Sequence, residues 1–386
     1  MRISRLRISA PRIGAKAILV VALSLFGVVH GHATIEPDAR LKVFAKLKHQ
    51  QTQELAAKLH LDVPTEARAF FKAAEAGDWA GVSNCFERIA TTKGSLPSLA
   101  NALYVPIHET VGAYATFREW DATMLQKFAD GVLSSIPADS IYFGGTDPGR
   151  FVITAVRDVA RGPDIFIITP KFIRTLRHPV EKNAVPQDAL ADSLYMEYLR
   201  LVYGRQLWMP SATDWRNVFQ QYVFEVQSRG RQTSATISTN ADGIVQVAGV
   251  EAVFAMDAAI TRLIFDNNKN KHEFYVEESY VIPWMYPYLE PHGLIMKLNK
   301  EPLTEIDPKV MAQDRQFWDG LTKELLVNRH FIKNAAARQT FSKLRSAIAG
   351  LYAYRHLTNE AEAAFKQAIQ LCPASPEANF RLAQLY

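Results

Sequence analysis

Residues 140–151, Ser-Ile-Tyr-Phe-Gly-Gly-Thr-Asp-Pro-Gly-Arg-Phe, and residues 162–169, Gly-Pro-Asp-Ile-Phe-Ile-Ile-Thr, decide the fold class. Ser140 to Phe143 is a short apolar, β-prone run closed by Gly144 and Gly145, which reads as a buried strand. Asp147 and Pro148 then open a helix, because Asp is favoured at an N-cap and Pro at the first helical position. That helix runs to about Ala160, and a second apolar strand, Asp164 to Thr169, stops at Pro170. Strand, helix and strand within about 30 residues make a βαβ unit, which implies a right-handed crossover and parallel pairing.

Outward from this unit the pattern keeps alternating. Asp121 to Leu133 is an amphipathic helix, and helices are expected at Gln187–Tyr203, Asp214–Gln227 and Val250–Phe265. Trp208-Met-Pro reads as an edge strand, Phe274 to Glu277 as a strand and Leu294 to Leu298 as a last one. Tyr280 to Leu289 reads as an aromatic-rich turn or short helix. The expected class over residues 101–305 is α/β, a Rossmann-like, mostly parallel sheet sandwiched by helices.

Two helical regions flank that domain. In residues 34–100, Leu41, Phe44, Leu47, Leu55 and Leu59 mark a charged helix over 36–60. A hairpin follows, with helices at 65–76 and 79–90 broken at Gly77-Asp78, and a linker from Thr91 to Pro97. In residues 306–386, Ala349, Tyr352, Ala361, Phe365, Ala368 and Pro373 carry the spacing of a tetratricopeptide repeat. Leu382, Ala383 and Tyr386 fall on the equivalents of Ile348, Ala349 and Tyr352. The sequence given therefore stops inside the first helix of a next repeat, so either more chain follows or this helix caps the array.

The first 33 residues read as an address. Arg2, Arg5, Arg7, Arg12 and Lys16 precede an apolar run from Ala17 to Val29, shorter than the roughly 20 residues of a bilayer span. Gly31-His32-Ala33 supplies the small residues of a signal-peptide cleavage site, with cleavage expected after Ala33. An uncleaved N-terminal anchor is the alternative, and no Arg-Arg pair supports twin-arginine export. No later apolar run is long enough to span a membrane, so the mature chain is expected to be periplasmic or secreted. Taking those five residues from the 44 Lys and Arg leaves the rest of the chain with as many bases as acids, 39 of each. A neutral body gives no electrostatic case for nucleic acid.

Chemistry motifs are sparse. The Gly144, Gly145, Thr146, Asp147, Arg150 turn joins a strand to a helix at the strand's carboxyl end, where ligands of open sheets bind. Free helix N–H groups and Arg150 suit a small anion, whereas Asp147 as a cap would occupy those groups and make the turn structural. The turn matches neither dinucleotide nor Walker spacing. Glu277, Glu278 and the Tyr280–Tyr288 aromatic cluster with Trp284 suit a sugar cleft, or else core plus a surface acid. His108-Glu109 begins a zincin motif that fails at Gly112, and no G-x-S-x-G elbow exists. His292, between Pro291 and Gly293, reads as a turn residue. Two cysteines, Cys85 and Cys372, exclude a cysteine zinc site; they read as buried helical residues, with a disulfide as the alternative. No metal and no cofactor are expected.

The stretches 140–151 and 162–169, with Phe274-Tyr-Val-Glu-Glu-Ser and Trp284 through Leu298, resemble the soluble C-terminal portion of bacterial multipass proteins related to protein O-mannosyltransferases. Those proteins often continue into tetratricopeptide repeats. The resemblance covers roughly residues 120–386 and lacks the multipass half where transfer chemistry sits, so it implies an accessory domain. The expected function is an exported, non-enzymatic binding or scaffold protein that takes a protein or peptide partner through its helical repeat. The alternative is a sugar- or nucleotide-sugar-dependent transferase or hydrolase, or an accessory domain of a glycosyltransferase system.

Overall fold

Ile-Tyr-Phe-Gly at 141–144 is buried at every position, as in a central strand with both faces covered. The computed structural model describes residues 37–92, 103–145, 147–160, 165–169, 184–186, 194–204, 206–229, 235–239, 241, 243, 245–277 and 282–386. In it this strand is β1. It pairs in parallel with β2 (Phe166–Ile168) on one side and with β6 (Phe274–Glu277) on the other. Ile141 lies opposite Phe166 and Phe274, and Gly144 opposite Glu277. The strand–helix–strand unit read from 140–169 therefore forms its parallel pair.

The other half of the sheet departs from the expected Rossmann-like sandwich. Order in this five-stranded sheet is β2-β1-β6-β8-β7, and β8 (Ile295–Leu298) runs antiparallel to both β6 and β7 (Leu289–His292). The cause is loop length. His292 pairs with Ile295 across a two-residue loop whose Gly293 has φ +61°, and a connection that short returns only as a hairpin. His292 thus ends a strand, where its Nε2 meets the Ser135 carbonyl at 2.8 Å. Most of the described chain is helical, and the sheet is small and mixed.

A second sheet, order β3-β5-β4, was not expected. Its strands Ala184–Pro186, Val245–Ala248 and Thr236–Thr239 are short, and β4 is largely exposed. The edge strand expected at Trp208-Met-Pro is not formed. The Trp208 amide donates to Asn268 Oδ1 at 2.9 Å, and Asn268 Nδ2 donates to the Trp208 carbonyl at 2.9 Å. One side chain replaces the ladder partner.

Before the sheet come α1 (Pro37–Lys58), α2 (Thr65–Ala76), α3 (Trp79–Thr92), α4 (Tyr104–Glu119) and α5 (Ala122–Leu133). Gly77, at φ +79°, ends α2 as the hairpin reading requires. After the turn, a π-helical turn at Pro148–Val152 leads into α6 (Ile153–Ala160). Helix α7 (Leu194–Tyr203) covers the free edge of β2. Tyr203 OH accepts from the Ile167 amide at 2.9 Å and donates to its carbonyl at 3.0 Å, and Tyr195 OH accepts from the Thr169 amide at 2.9 Å. Tyrosine suits this role because its ring stays in the core while the hydroxyl satisfies the unpaired strand groups. Helices α8 (Ala212–Arg229) and α9 (Val250–Asn268) follow, and α9 packs on β3 and β5.

The C-terminal helices are α10 (Pro308–Val327), α11 (Arg329–Lys333), α12 (Ala335–Tyr354), α13 (Thr358–Leu371) and α14 (Pro376–Leu385). Asp307, Asn328, Asn334 and Ser375 cap α10, α11, α12 and α14 through their side chains. Ala349, Tyr352, Ala361, Phe365 and Ala368 are buried, and Pro373 follows α13 exposed. Helix α12 also packs on β7 and β8. Its Arg345 is buried against Asp314 of α10, with Nη1 to Oδ2 at 2.7 Å, and Tyr352 OH donates to the same oxygen at 2.8 Å. Arg345 Nε donates to Gln367 of α13 at 2.8 Å. At its C-terminal end, Arg355 donates to the carbonyls of Leu303 at 2.7 Å and Pro287 at 2.6 Å. At its start, Asn334 Nδ2 donates to the Glu119 carbonyl at 3.0 Å. Residues Pro37–Tyr386 form one compact unit, and Met1–Glu36 lie outside the described residues. No helix among the described residues is long and apolar enough to cross a membrane.

Two measurements check these links. Asp314→Ala strands a buried guanidinium and is expected to lower unfolding free energy in urea by about 3–5 kcal/mol. Replacing Asp314 and Arg345 together by apolar residues should cost less than the single change. Asp121 caps α5 and also meets His330 Nδ1 of α11 at 2.8 Å. Burial raises its carboxyl pKa, but the bonds from His330 and from the Met124 and Thr123 amides outweigh that and hold it below the ordinary aspartate value of 3.8. Its contribution to stability is therefore present above about pH 4 and lost as pH falls through the lowered value. Asp121→Asn should flatten the acid limb of the stability–pH curve.

Candidate ligand cleft at the ends of the parallel strands

The sequence turn leaves β1 at the carboxyl ends of its parallel neighbours. Its backbone is folded around one carboxylate. Glu277, at the end of β6, has no solvent exposure. Gly145 N–H donates to the Glu277 carbonyl at 2.7 Å and approaches its Oε2 at 3.1 Å. A Cβ on Gly149 would lie 2.0 Å from that same Oε2, and one on Gly144 would lie 2.9 Å from the Gly149 carbonyl oxygen. These glycines are required by close approach, not by left-handed backbone. On the other side the turn rests on α4, where a Cβ on Gly112 would meet the Phe151 ring at 2.3 Å.

Asp147 is not the N-cap that the sequence suggested. Its backbone is already helical, at φ −62° and ψ −44°, and its side chain makes no capping bond. It is 76% exposed, and its Oδ1 stands 3.5 Å from Arg150 Nη2. Arg150 points inward, with its guanidinium carbon 3.9 Å from the Phe151 ring centroid. Burial pulls its pKa below the usual range, while Asp147, Tyr195 and Glu109 oppose that shift. The Arg150 side chain is thus largely enclosed, at 13% exposure, between the Asp147 carboxylate and the Phe151 ring. Behind it lies a polar cluster that sequence reading missed. Lys48 of α1, 1% exposed, is 2.8 Å from Glu109 of α4. Tyr198 OH of α7 donates to Glu109 at 2.5 Å and accepts from Lys48 at 2.8 Å.

An open cleft of about 440 Å³ lies on the outer side of the turn. One wall is α4, with Thr116, Glu119 and Trp120 at its end. The second is the turn itself, with Gly145, Asp147, Pro148 and Phe151. The third is α12, with Ala336, Gln339, Thr340 and Lys343. The structure therefore places Gly145 and Asp147 in the cleft wall and Glu277 behind them, out of reach of a ligand. Trp284 does not line the cleft. It lies in a 3₁₀ helix, Pro283–Tyr288, packed on α9 with Phe265 5.3 Å and Arg262 4.9 Å from its ring. The pairing of acid and aromatic cluster expected for a sugar cleft is not formed by Glu277 and Trp284. Thr146, Glu278 and Tyr280 lie outside the described residues.

Among the described residues no His, Cys, Asp and Glu side chains gather as a metal site. Cys85 and Cys372 are buried and unbonded to each other. Comparison with protein-family models, with curated proteins and with solved structures finds no match.

Gly149→Ala should destabilise the protein by about 1–3 kcal/mol, the range for overpacking. Gly320→Ala in α10 is the control, because its Cβ would meet nothing within 4 Å; it should be neutral or stabilise by up to about 1 kcal/mol. Equal effects in chemical denaturation would remove the case for a backbone wrapped on Glu277.

Proposed function

We propose that the protein is an exported, non-enzymatic binding protein whose cleft beside the Gly145–Phe151 turn takes a small polar ligand. The observation that carries this reading is the cleft's construction. Its volume, about 440 Å³, falls in the range of small-molecule sites. It opens at the carboxyl ends of parallel strands, where ligands of such sheets bind. Its α12 wall is tied down by Arg345, Arg355 and Asn334, so the site is preformed. The basic, then apolar leader supports export. The resemblance to the soluble part of multipass mannosyltransferase relatives supports an accessory role. A transferase or hydrolase has weaker support, since its candidate acid, Glu277, is fully buried.

A second reading has its own observation. Helix α14 exposes Phe380 at 64%. Phe380 lines a groove of about 400 Å³ formed by α12, α13 and α14, with Gly350, Phe365, Glu377 and Arg381. With the tetratricopeptide spacing of Ala349 to Pro373, this supports a protein or peptide partner on the C-terminal helices.

Thermal-shift screening separates the readings. A cleft ligand at a hundredfold excess over Kd stabilises by about 2.7 kcal/mol, and Thr340→Trp, which fills the cleft, should abolish the shift. Hits that survive Thr340→Trp and vanish in Phe380→Asp would move recognition to the C-terminal groove.

A further inference from the structure

The charges in the cleft narrow the chemistry of its ligand. Lys343 on α12 and Glu119 on α4 are both exposed. Among the described residues neither side chain lies within ion-pair or hydrogen-bond distance of a partner, and the Lys343 charge acts at longer range on Glu377 of α14, where it opposes the upward shift that burial gives that carboxyl. They stand on different walls of one cleft. Asp147 adds a second acid but is partly engaged by Arg150 at 3.5 Å. The lining also includes two aromatic rings, Trp120 at 6% and Phe151 at 5% exposure. Gln339 and the Thr340 hydroxyl supply amide and hydroxyl groups along the α12 wall.

This lining discriminates among ligand classes. A simple anion would meet Lys343 but also two carboxylates, and a simple cation would meet the reverse conflict. A neutral ligand would partly desolvate both charges without adding a counter-charge to either. A ligand with both signs at its two ends satisfies Lys343 and Glu119 together. An α-carboxylate and an α-ammonium separated by peptide units have that form, and each unit adds about 3.3–3.6 Å of reach. Their amide groups match Gln339 and Thr340, and an apolar side chain matches Trp120 and Phe151.

We propose that the cleft, about 440 Å³ in volume, binds a short peptide as a zwitterion, with its carboxylate on Lys343 and its α-ammonium on Glu119. This rests on the reading of the cleft as the ligand site.

Calorimetric titration of the full chain tests it with Ala-Phe, N-acetyl-Ala-Phe, Ala-Phe-amide and free Phe. Ala-Phe should bind, and blocking either end should weaken binding by about tenfold or more. Lys343→Met should weaken Ala-Phe and make it equal to its amide. Glu119→Gln should make it equal to its acetylated form. Both side chains are exposed, so both variants should keep the parent Tm. Blocked peptides that bind as tightly as Ala-Phe overturn the proposal, as does tighter binding of free Phe or indifference to both substitutions. If no peptide binds but a neutral sugar or a nucleotide does, and Thr340→Trp excludes it, the zwitterion assignment falls and the cleft stands. If neither peptides nor those ligands bind, both fall.

Discussion

Asp314 and Arg345 are the interaction on which the arrangement of the site depends. Both are almost fully buried, at 2% and 3% side-chain exposure, and the guanidinium also lies 5.1 Å from the Trp318 ring centroid. A buried ion pair is a poor source of net stability, because desolvation offsets most of the attraction. Its value is positional: losing one partner leaves an uncompensated charge. Here the pair fixes α12 to α10, while Gln367 extends the link to α13 and Tyr352 shares the Asp314 oxygen. Burial raises the Tyr352 pKa, with the Asp314 charge acting in the same direction, so the phenol stays a donor. Helix α12 is thereby both the first helix of the C-terminal hairpin and a wall of the cleft.

The opposite wall is held by close backbone approach. Three glycines let the turn wrap a fully buried carboxylate and seat against α4. The buried Lys48–Glu109–Tyr198 cluster ties α1, α4 and α7 together behind that turn. The cleft is thus the gap left between two separately braced parts of one unit, with Lys343 on one wall and Glu119 on another.

What was legible in the sequence follows from the physics of each element. Strands β1, β2 and β6 are buried on both faces, so β1 and β2 appear as apolar runs bounded by glycine or proline, and β6 as Phe274-Tyr-Val ahead of the buried Glu277. Helices α5 and α10 announce themselves through Asp121 and Asp307. The antiparallel half was hidden because Leu289–His292, with Pro291 inside it, lacks a strand pattern and owes its state to the Gly293 hairpin and to pairing with β8. Helix α4 escaped because buried residues surround it, from Val105 and Ile107 to Thr110, Ala113 and Tyr114, leaving no amphipathic stripe. With α4 unread, Glu119 and Trp120 had no place in a site. Lys48 and Lys343 occupy ordinary charged helix positions, and only the tertiary structure makes one a buried partner and places the other in a cleft wall. The turn was found, but its glycines serve the Glu277 side chain where an anion had been considered.

Function enters through the joining of these parts. A repeat-like hairpin that swung freely would offer a partner surface and no cleft; one braced to the body makes a preformed pocket. Native-state hydrogen exchange tests that bracing most directly. The account predicts that interior amides of α12 exchange with the same opening free energy as those of β1 and β6, in one cooperative unit. Exchange of α12–α14 at markedly lower free energy than β1 and β6, as a separately opening unit, would contradict it.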